Sequence, residues 1–190
     1  MRQTIPLREL AKVANLTDVL TFRPNAAKMY AAAMSQLPPL NPGTVLEVDF
    51  RNILVCDASF VDEFVIKMQL ELLKSDNIVM LLVNCNHDVL LNVEAALTLR
   101  NEKSKLKIVL LVYTNDGYKI MGRMEQSLRD TFDMIVKRGG SITAREIAEI
   151  FDLPEINGAS NRLRRLYDAR IVFRQQDNTR WQQVYRLPTV

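Results

Sequence analysis

The chain has 190 residues, 25% of them charged and 48% hydrophobic, with a net charge of +3; this is the balance of a packed chain of one large or two small domains, not of a disordered one. MRQTIPLREL lacks the apolar stretch of a signal peptide, and the apolar runs are too short to span a bilayer, so a cytoplasmic protein is expected. A single histidine and two cysteines without CxxC spacing argue against a metal centre, and no metal or cofactor is expected.

A short strand around Thr4–Leu7 opens the chain. Pro24 to Leu37 reads as an Ala-rich helix with Pro at a first helical position. It stops at Pro38-Pro39, and Asn41-Pro42-Gly43 turns into the next strand. Three runs, TVLEVDF (44–50), IVMLLVN (78–84) and KIVLLVY (107–113), are nearly unbroken in apolar residues and rich in Val and Ile. Parallel strands covered on both faces have this pattern. Cys56 and Cys85 lie in strand-like apolar runs and read as buried reduced thiols. Between the strands, residues 60–74 place Val61, Phe64, Val65, Met68 and Leu72 at helical spacing, and residues 87–100 do the same with Val89, Val93, Ala96 and Leu97. A second stripe, Ile66, Leu70 and Leu73, either packs beneath a neighbouring element or forms a dimer or partner surface. Strands alternating with helices predict an α/β layer fold with right-handed crossovers.

After the turn Asn115-Asp116-Gly117, Ile120, Met121, Met124, Leu128, Phe132, Ile135 and Val136 recur at a 3.6 period. They predict one long helix that ends at Gly139-Gly140, with Gly122 as a candidate break. This helix would join two domains, 1–119 and 120–190, and is a second candidate for a dimer contact.

Within the first domain, LEVDFRNILVCDASFVDEF (46–64) runs from a strand through a second apolar stretch into a helix start. Asp57 or Ser59 fits as the cap, and Asp62 and Glu63 fall in the first turn, where acids suit the helix dipole. The segment also resembles the STAS superfamily, with Asp49 and Asp57 on the two acidic positions of its strand-turn-helix pattern. It is more similar to a STAS-like family of unknown function, through LTFRPNAAKMY (20–30), VDF (48–50), SFVDEF (59–64) and LLVNCNHDV (81–89). The resemblance implies a STAS-like sheet with covering helices that binds a partner or self-associates. The turn at 57–63 would be the contact surface, carried by Asp57, Ser59, Phe60, Asp62 and Glu63. In the superfamily's phospho-switch proteins a serine directly follows the second Asp. Here Ala58 stands in that place and Ser59 one later, which argues against such a switch.

His87 lies where a strand ends and a helix starts, a position that binds ligands in open α/β sheets, but a helix-start residue beside a capping Asn84 or Asn86 is the favoured reading. The chain has no Gly-rich phosphate loop and no Ser-His-Asp, Cys-His or HExxH set, so no enzyme activity is expected.

The charge shifts along the chain. Residues 1–136 hold 15 Lys/Arg against 16 Asp/Glu, and residues 137–190 hold 10 against 6, nine of those ten being Arg. That excess points to a polyanion. Thr143 and Glu146 form a capping box for a helix over 144–151 that buries Ile147, Ala148 and Phe151. Asp152-Leu153-Pro154 breaks it. NGASNRLRRLYDAR (157–170) then forms a helix that buries Ala159, Leu163, Leu166 and Tyr167. Its outer face is Asn157, Asn161, Arg164, Arg165 and Asp168, with Arg162 at the edge. IVFR (171–174), the turn QQDNT and RWQQVYRL (180–187) predict a hairpin.

This order of elements resembles a winged helix domain of the kind found in bacterial regulators, with a helix-turn-helix followed by a wing. The resemblance implies that the helix at 157–170 enters the major groove of duplex DNA. Asn161, Arg164 and Arg165 would meet base edges, Asn157 and Ser160 would hold phosphate, and Arg174 and Arg180 would flank the wing turn. A transcriptional regulator acting as a homodimer is the implied function. Winged helices also bind proteins, and a partner-switching adaptor is the alternative.

Overall fold

The computed structural model describes residues 1–104, 107–179 and 182–189. The chain forms two compact units, Met1–Arg123 and Met124–Val190.

In the first unit the elements are β1 (Arg2–Pro6), α1 (Leu7–Val13), β2 (Val19–Leu20), α2 (Arg23–Gln36), β3 (Val45–Asp49), β4 (Val55–Cys56), α3, β5 (Val79–Val83), α4 (His87–Lys103), β6 (Leu110–Thr114) and β7 (Gly117–Met121). Helix α3 runs through Ala58–Phe60, a π-helical Val61–Ile66 and Lys67–Leu72. The main sheet has the order β1-β3-β5-β6-β7. Its first four strands are parallel and β7 turns back antiparallel. β2 and β4 form a separate parallel pair, Val19 opposite Val55 and Leu20 opposite Cys56.

The three apolar runs are strands because each is buried on both faces. Leu46, Val48, Met80, Leu82, Leu110 and Val112 join the main core, where Met29, Phe60, Phe64, Val89, Val93 and Leu97 meet them from the helices. The alternating residues Val45, Val79, Leu81 and Leu111 are buried as well. Strands with a single covered face would alternate with polar residues instead. Right-handed crossovers between neighbouring parallel strands put α3 and α4 on one side of the sheet, and α3 contacts both α2 and α4.

Three expectations for this unit need correction. Residues 117–121 are a strand and not the start of a helix: Ile120 and Met121 pair with Leu111 and Leu110. Gly122 ends that strand at φ 93°, and a Cβ there would lie 2.9 Å from the Ile108 carbonyl oxygen, so the position requires glycine. Strand β6 starts at Leu110, after residues the sequence reading includes; Ile108 is held outside the ladder by Asn101, whose amide accepts its N–H at 2.7 Å and donates to its carbonyl at 2.9 Å. Ile66 does not belong to an outer stripe. The wider π-helical turn shifts the phase of α3 and rotates this side chain fully into the core, leaving Leu70 and Leu73 half-buried.

The second unit comprises α5 (Gln126–Arg138), β8 (Ile142–Thr143), α6 (Ala144–Ile150), α7 (Ile156–Asp168), β9 (Phe173–Asp177) and β10 (Gln182–Arg186). The strands form an antiparallel sheet of order β8-β10-β9. Helix α5 ends at Gly139, whose left-handed φ of 69° returns its N–H to the Ile135 carbonyl. Thr143 and Glu146 form both halves of a capping box on α6. Leu128, Phe132 and Ile135 of α5 are buried, and α5 contacts α7, so the apolar face expected for a dimer packs inside its own unit. The hairpin starts later than the sequence suggests. Ile171 and Val172 are buried ahead of the strand, and Gln175, Gln176 and Asp177, expected in the turn, extend β9. Gln183 bonds Gln176 across the ladder, so polar residues stay extended where water covers one face.

Candidate functional site

Helix α7 is fixed in rotation by its apolar side. Ala159, Leu163 and Leu166 are fully buried and Tyr167 nearly so, which turns Asn157, Asn161, Arg164, Arg165 and Asp168 outward as one exposed face. Ser160 is half-buried at its border. The side chains of Asn157, Asn161 and Arg164 form no hydrogen bond or ion pair among the described residues.

Arg162, Arg165, Arg170 and Arg174 are engaged. Arg165 forks onto Glu125, which precedes α5, with Nη1 and Nη2 donating to the two carboxylate oxygens at 2.7 and 2.6 Å. The guanidinium holds the Glu125 carboxyl below the usual carboxylate range, and the carboxylate pushes Arg165 up in turn. Arg162 lies over the Phe151 ring at 5.4 Å. Arg170, buried and at φ 59°, donates to the Tyr167 carbonyl at 3.2 Å. Arg174 stacks on the Tyr167 ring at 4.2 Å and bonds the Tyr185 hydroxyl. Arg174 is therefore part of the packing between α7 and the hairpin. Arg180, its expected companion at the turn, lies outside the described residues. The sequence gives no signal for the Glu125 clamp, because its partners are 40 positions apart.

In the first unit the segment 57–63 is a knot of internal bonds. The Asp57 carboxylate accepts from the Phe60 N–H at 2.6 Å, the Ser59 hydroxyl at 2.8 Å and the Phe22 N–H at 3.0 Å. Burial alone would raise the Asp57 carboxyl, but these donors outweigh it and hold it below its ordinary value. Phe60, expected on a contact surface, is fully buried and stacks on Phe64 at 5.6 Å; it is core because the helix start turns it inward. Asp62 pairs with Arg23 at 2.7 Å and Arg100 at 3.6 Å, and Glu63 with Lys67 at 2.7 Å. Sequence reasoning missed the apolar side chains that are exposed beside this knot: Phe22 at 67%, Leu54 at 60%, and Val19 and Val55 of the small β2–β4 pair. Phe22 also has a positive φ of 69°.

At the start of α4, Asn86 is the cap. It accepts from the Val89 N–H at 2.8 Å and donates to the Ile53 and Leu54 carbonyls, both at 3.0 Å. His87 is exposed in the helix's first turn. Cys56 and Cys85 are free thiols. Burial pushes Cys56 up, and Cys85, half-buried, up to about 12. Among the described residues no group of three or more His, Cys, Asp or Glu is placed to hold a metal ion, and no helix is long and apolar enough to cross a membrane. Comparisons with protein-family models, curated proteins and solved structures found no match.

Proposed function

We propose that the C-terminal unit is a winged helix-turn-helix module that binds duplex DNA, that the N-terminal unit is a STAS-like module for partner binding or self-association, and that the chain acts as a transcriptional regulator. The supporting observation is the outer face of α7. Asn157, Asn161 and Arg164 project together from a helix locked on its other side, and Asn and Arg suit adenine and guanine edges. The β9–β10 hairpin, following directly in the chain, has the place of a wing. Among the described residues Arg164 is in no ion pair, whereas Arg165 is held by Glu125, so Arg164 carries more of the contact than Arg165.

The test is fluorescence anisotropy with mixed-sequence duplex DNA across a salt series, wild type beside Arg164→Ala. The wild type binds with affinity that falls steeply with salt. The variant binds at least about threefold more weakly, with a log–log slope shallower by about one. Absence of binding at low salt sinks the reading.

One observation favours an adaptor instead. Ile150 at the end of α6 and Ile156 at the start of α7 are 42% and 48% exposed, and apolar side chains beside a polar helix suit a protein partner. If DNA binding fails and the wild type captures a protein that Ile156→Asp does not, the adaptor takes first place.

A further inference from the structure

Helix α4 is held to the core by Val89, Val93, Ala96 and Leu97. On its opposite face Leu91, Ala95 and Leu99 are all exposed, the two leucines at 57% and 55%. Positions four apart form one ridge of a helix. These side chains are therefore a continuous apolar row, unlike the single apolar residues scattered over every surface. The row is symmetric, with a small residue at its centre and a leucine one turn to either side. A two-fold axis through Ala95 sets a second α4 antiparallel on the first. It places Leu91 of each copy against Leu99 of the other, the reciprocal pattern that an isologous contact requires. Alanine at the crossing lets the helices approach closely, and rows of this kind interdigitate at about −50°. The polar flanks fit the same axis. Asn92 of each copy faces Thr98 of the other, and Asn92 Nδ2 is folded back onto the Asp88 carbonyl at 3.0 Å. The first turn carries Asp88, a net charge of −1, and the last carries Arg100 and Lys103 against Glu102, a net charge of +1. Antiparallel packing sets these ends against each other, with the helix dipoles opposed.

We propose that the outer face of α4 is a homodimer contact, formed antiparallel with a second copy of this chain about an axis at Ala95. A single helix crossing buries less than the roughly 1,000 Å² of a stable complex. The dimer is therefore weak, with a dissociation constant on the order of 100 µM. This contact rests on the self-association reading of the first unit and gives it a surface; it does not depend on the nucleic-acid reading of the second.

The experiment is sedimentation velocity of the full chain over a concentration series, wild type beside Leu99→Arg and Ala95→Phe. Both positions are exposed, so both variants keep the wild-type circular dichroism spectrum. The wild type moves from monomer towards dimer as concentration rises. Leu99→Arg weakens the dimer at least about tenfold, because a charge enters the apolar row of each copy. Ala95→Phe does the same although it enlarges the apolar surface, because a ring at the crossing holds the helices apart; a merely sticky patch would associate more tightly with it. Cysteine cross-linking under mild oxidation reads the register. A mixture of Leu91→Cys and Leu99→Cys chains joins faster than either variant alone, while Cys56 and Cys85, whose thiols burial holds neutral, leave the wild type unjoined. A wild type that stays monomeric up to about 1 mM overturns both this contact and self-association of the first unit. A dimer that Ala95→Phe leaves unchanged or tightens keeps self-association and overturns this contact. So does faster joining of each cysteine variant to itself than to the other.

Discussion

At Phe22 the backbone takes φ 69° and ψ 137°, a region that side chains with a Cβ rarely enter. The hydrogen bond from its N–H to Asp57 holds it there, and the residue is 67% exposed. Strain of this kind costs about 1–3 kcal/mol and persists where the surroundings over-determine it. Phe22→Gly removes the strain and little burial, but adds freedom to the unfolded chain worth about 0.5–1 kcal/mol. The variant is therefore expected to be more stable by about 1 kcal/mol in urea denaturation, and destabilisation would show the ring to be packed more firmly than its exposure implies. If the Phe22, Leu54, Val19 and Val55 cluster is the partner surface of the first unit, the more stable variant also loses the partner. Stability and binding would then move in opposite directions, a separation that truncating a core residue cannot produce.

At the scale of elements, the sequence states most clearly what burial on both faces dictates. The runs at 44–50 and 78–84 contain β3 and β5, the run at 107–113 overlaps β6 over Leu110–Tyr113, and the buried side of α7 is the set Ala159, Leu163, Leu166 and Tyr167 that helical spacing picks out. Three strands were not legible. β2 and β8 are two residues long each, too short to carry a period, and they exist because β4 and β10 pair with them. In β7, Ile120 and Met121 fit a helical period as well as a strand, and the free edge of β6 decides between them. Charge was legible in number and not in arrangement. The count of arginines in the last 54 residues overstates the free positive charge, since Glu125 occupies the fork of Arg165 and the packing around Tyr167 takes Arg170 and Arg174. This sets an expectation for Glu125→Gln. With the carboxylate gone, Arg165 is available to phosphate, and duplex affinity rises by about three- to tenfold with a steeper salt dependence. Unchanged affinity in anisotropy titrations would place Arg165 outside the contact.

For the molecule as a whole, each unit has an apolar interior of its own. The second has Leu128, Phe132, Ile135, Ile147, Leu163, Leu166 and Phe173, with a capping box on α6, a glycine stop on α5 and a three-stranded antiparallel sheet. A fragment of residues 124–190 is expected to fold alone, with a single cooperative thermal transition, although a domain this small is marginal in stability. It should bind duplex DNA within about threefold of the full chain. Loss of the transition in circular dichroism would mean that the second unit requires the first in order to fold.

The order β1-β3-β5-β6-β7 has a consequence for how the first unit is made. Every strand after the first lies beside the main-sheet strand synthesised just before it. As the chain leaves the ribosome, the growing sheet therefore presents one open edge in the direction of growth, and that edge is the seat of the next strand to emerge. No strand waits for a later one to be inserted between it and its neighbour. The unit can assemble in the order in which it is translated, and the step that ends its growth is the hairpin that folds β7 back along β6.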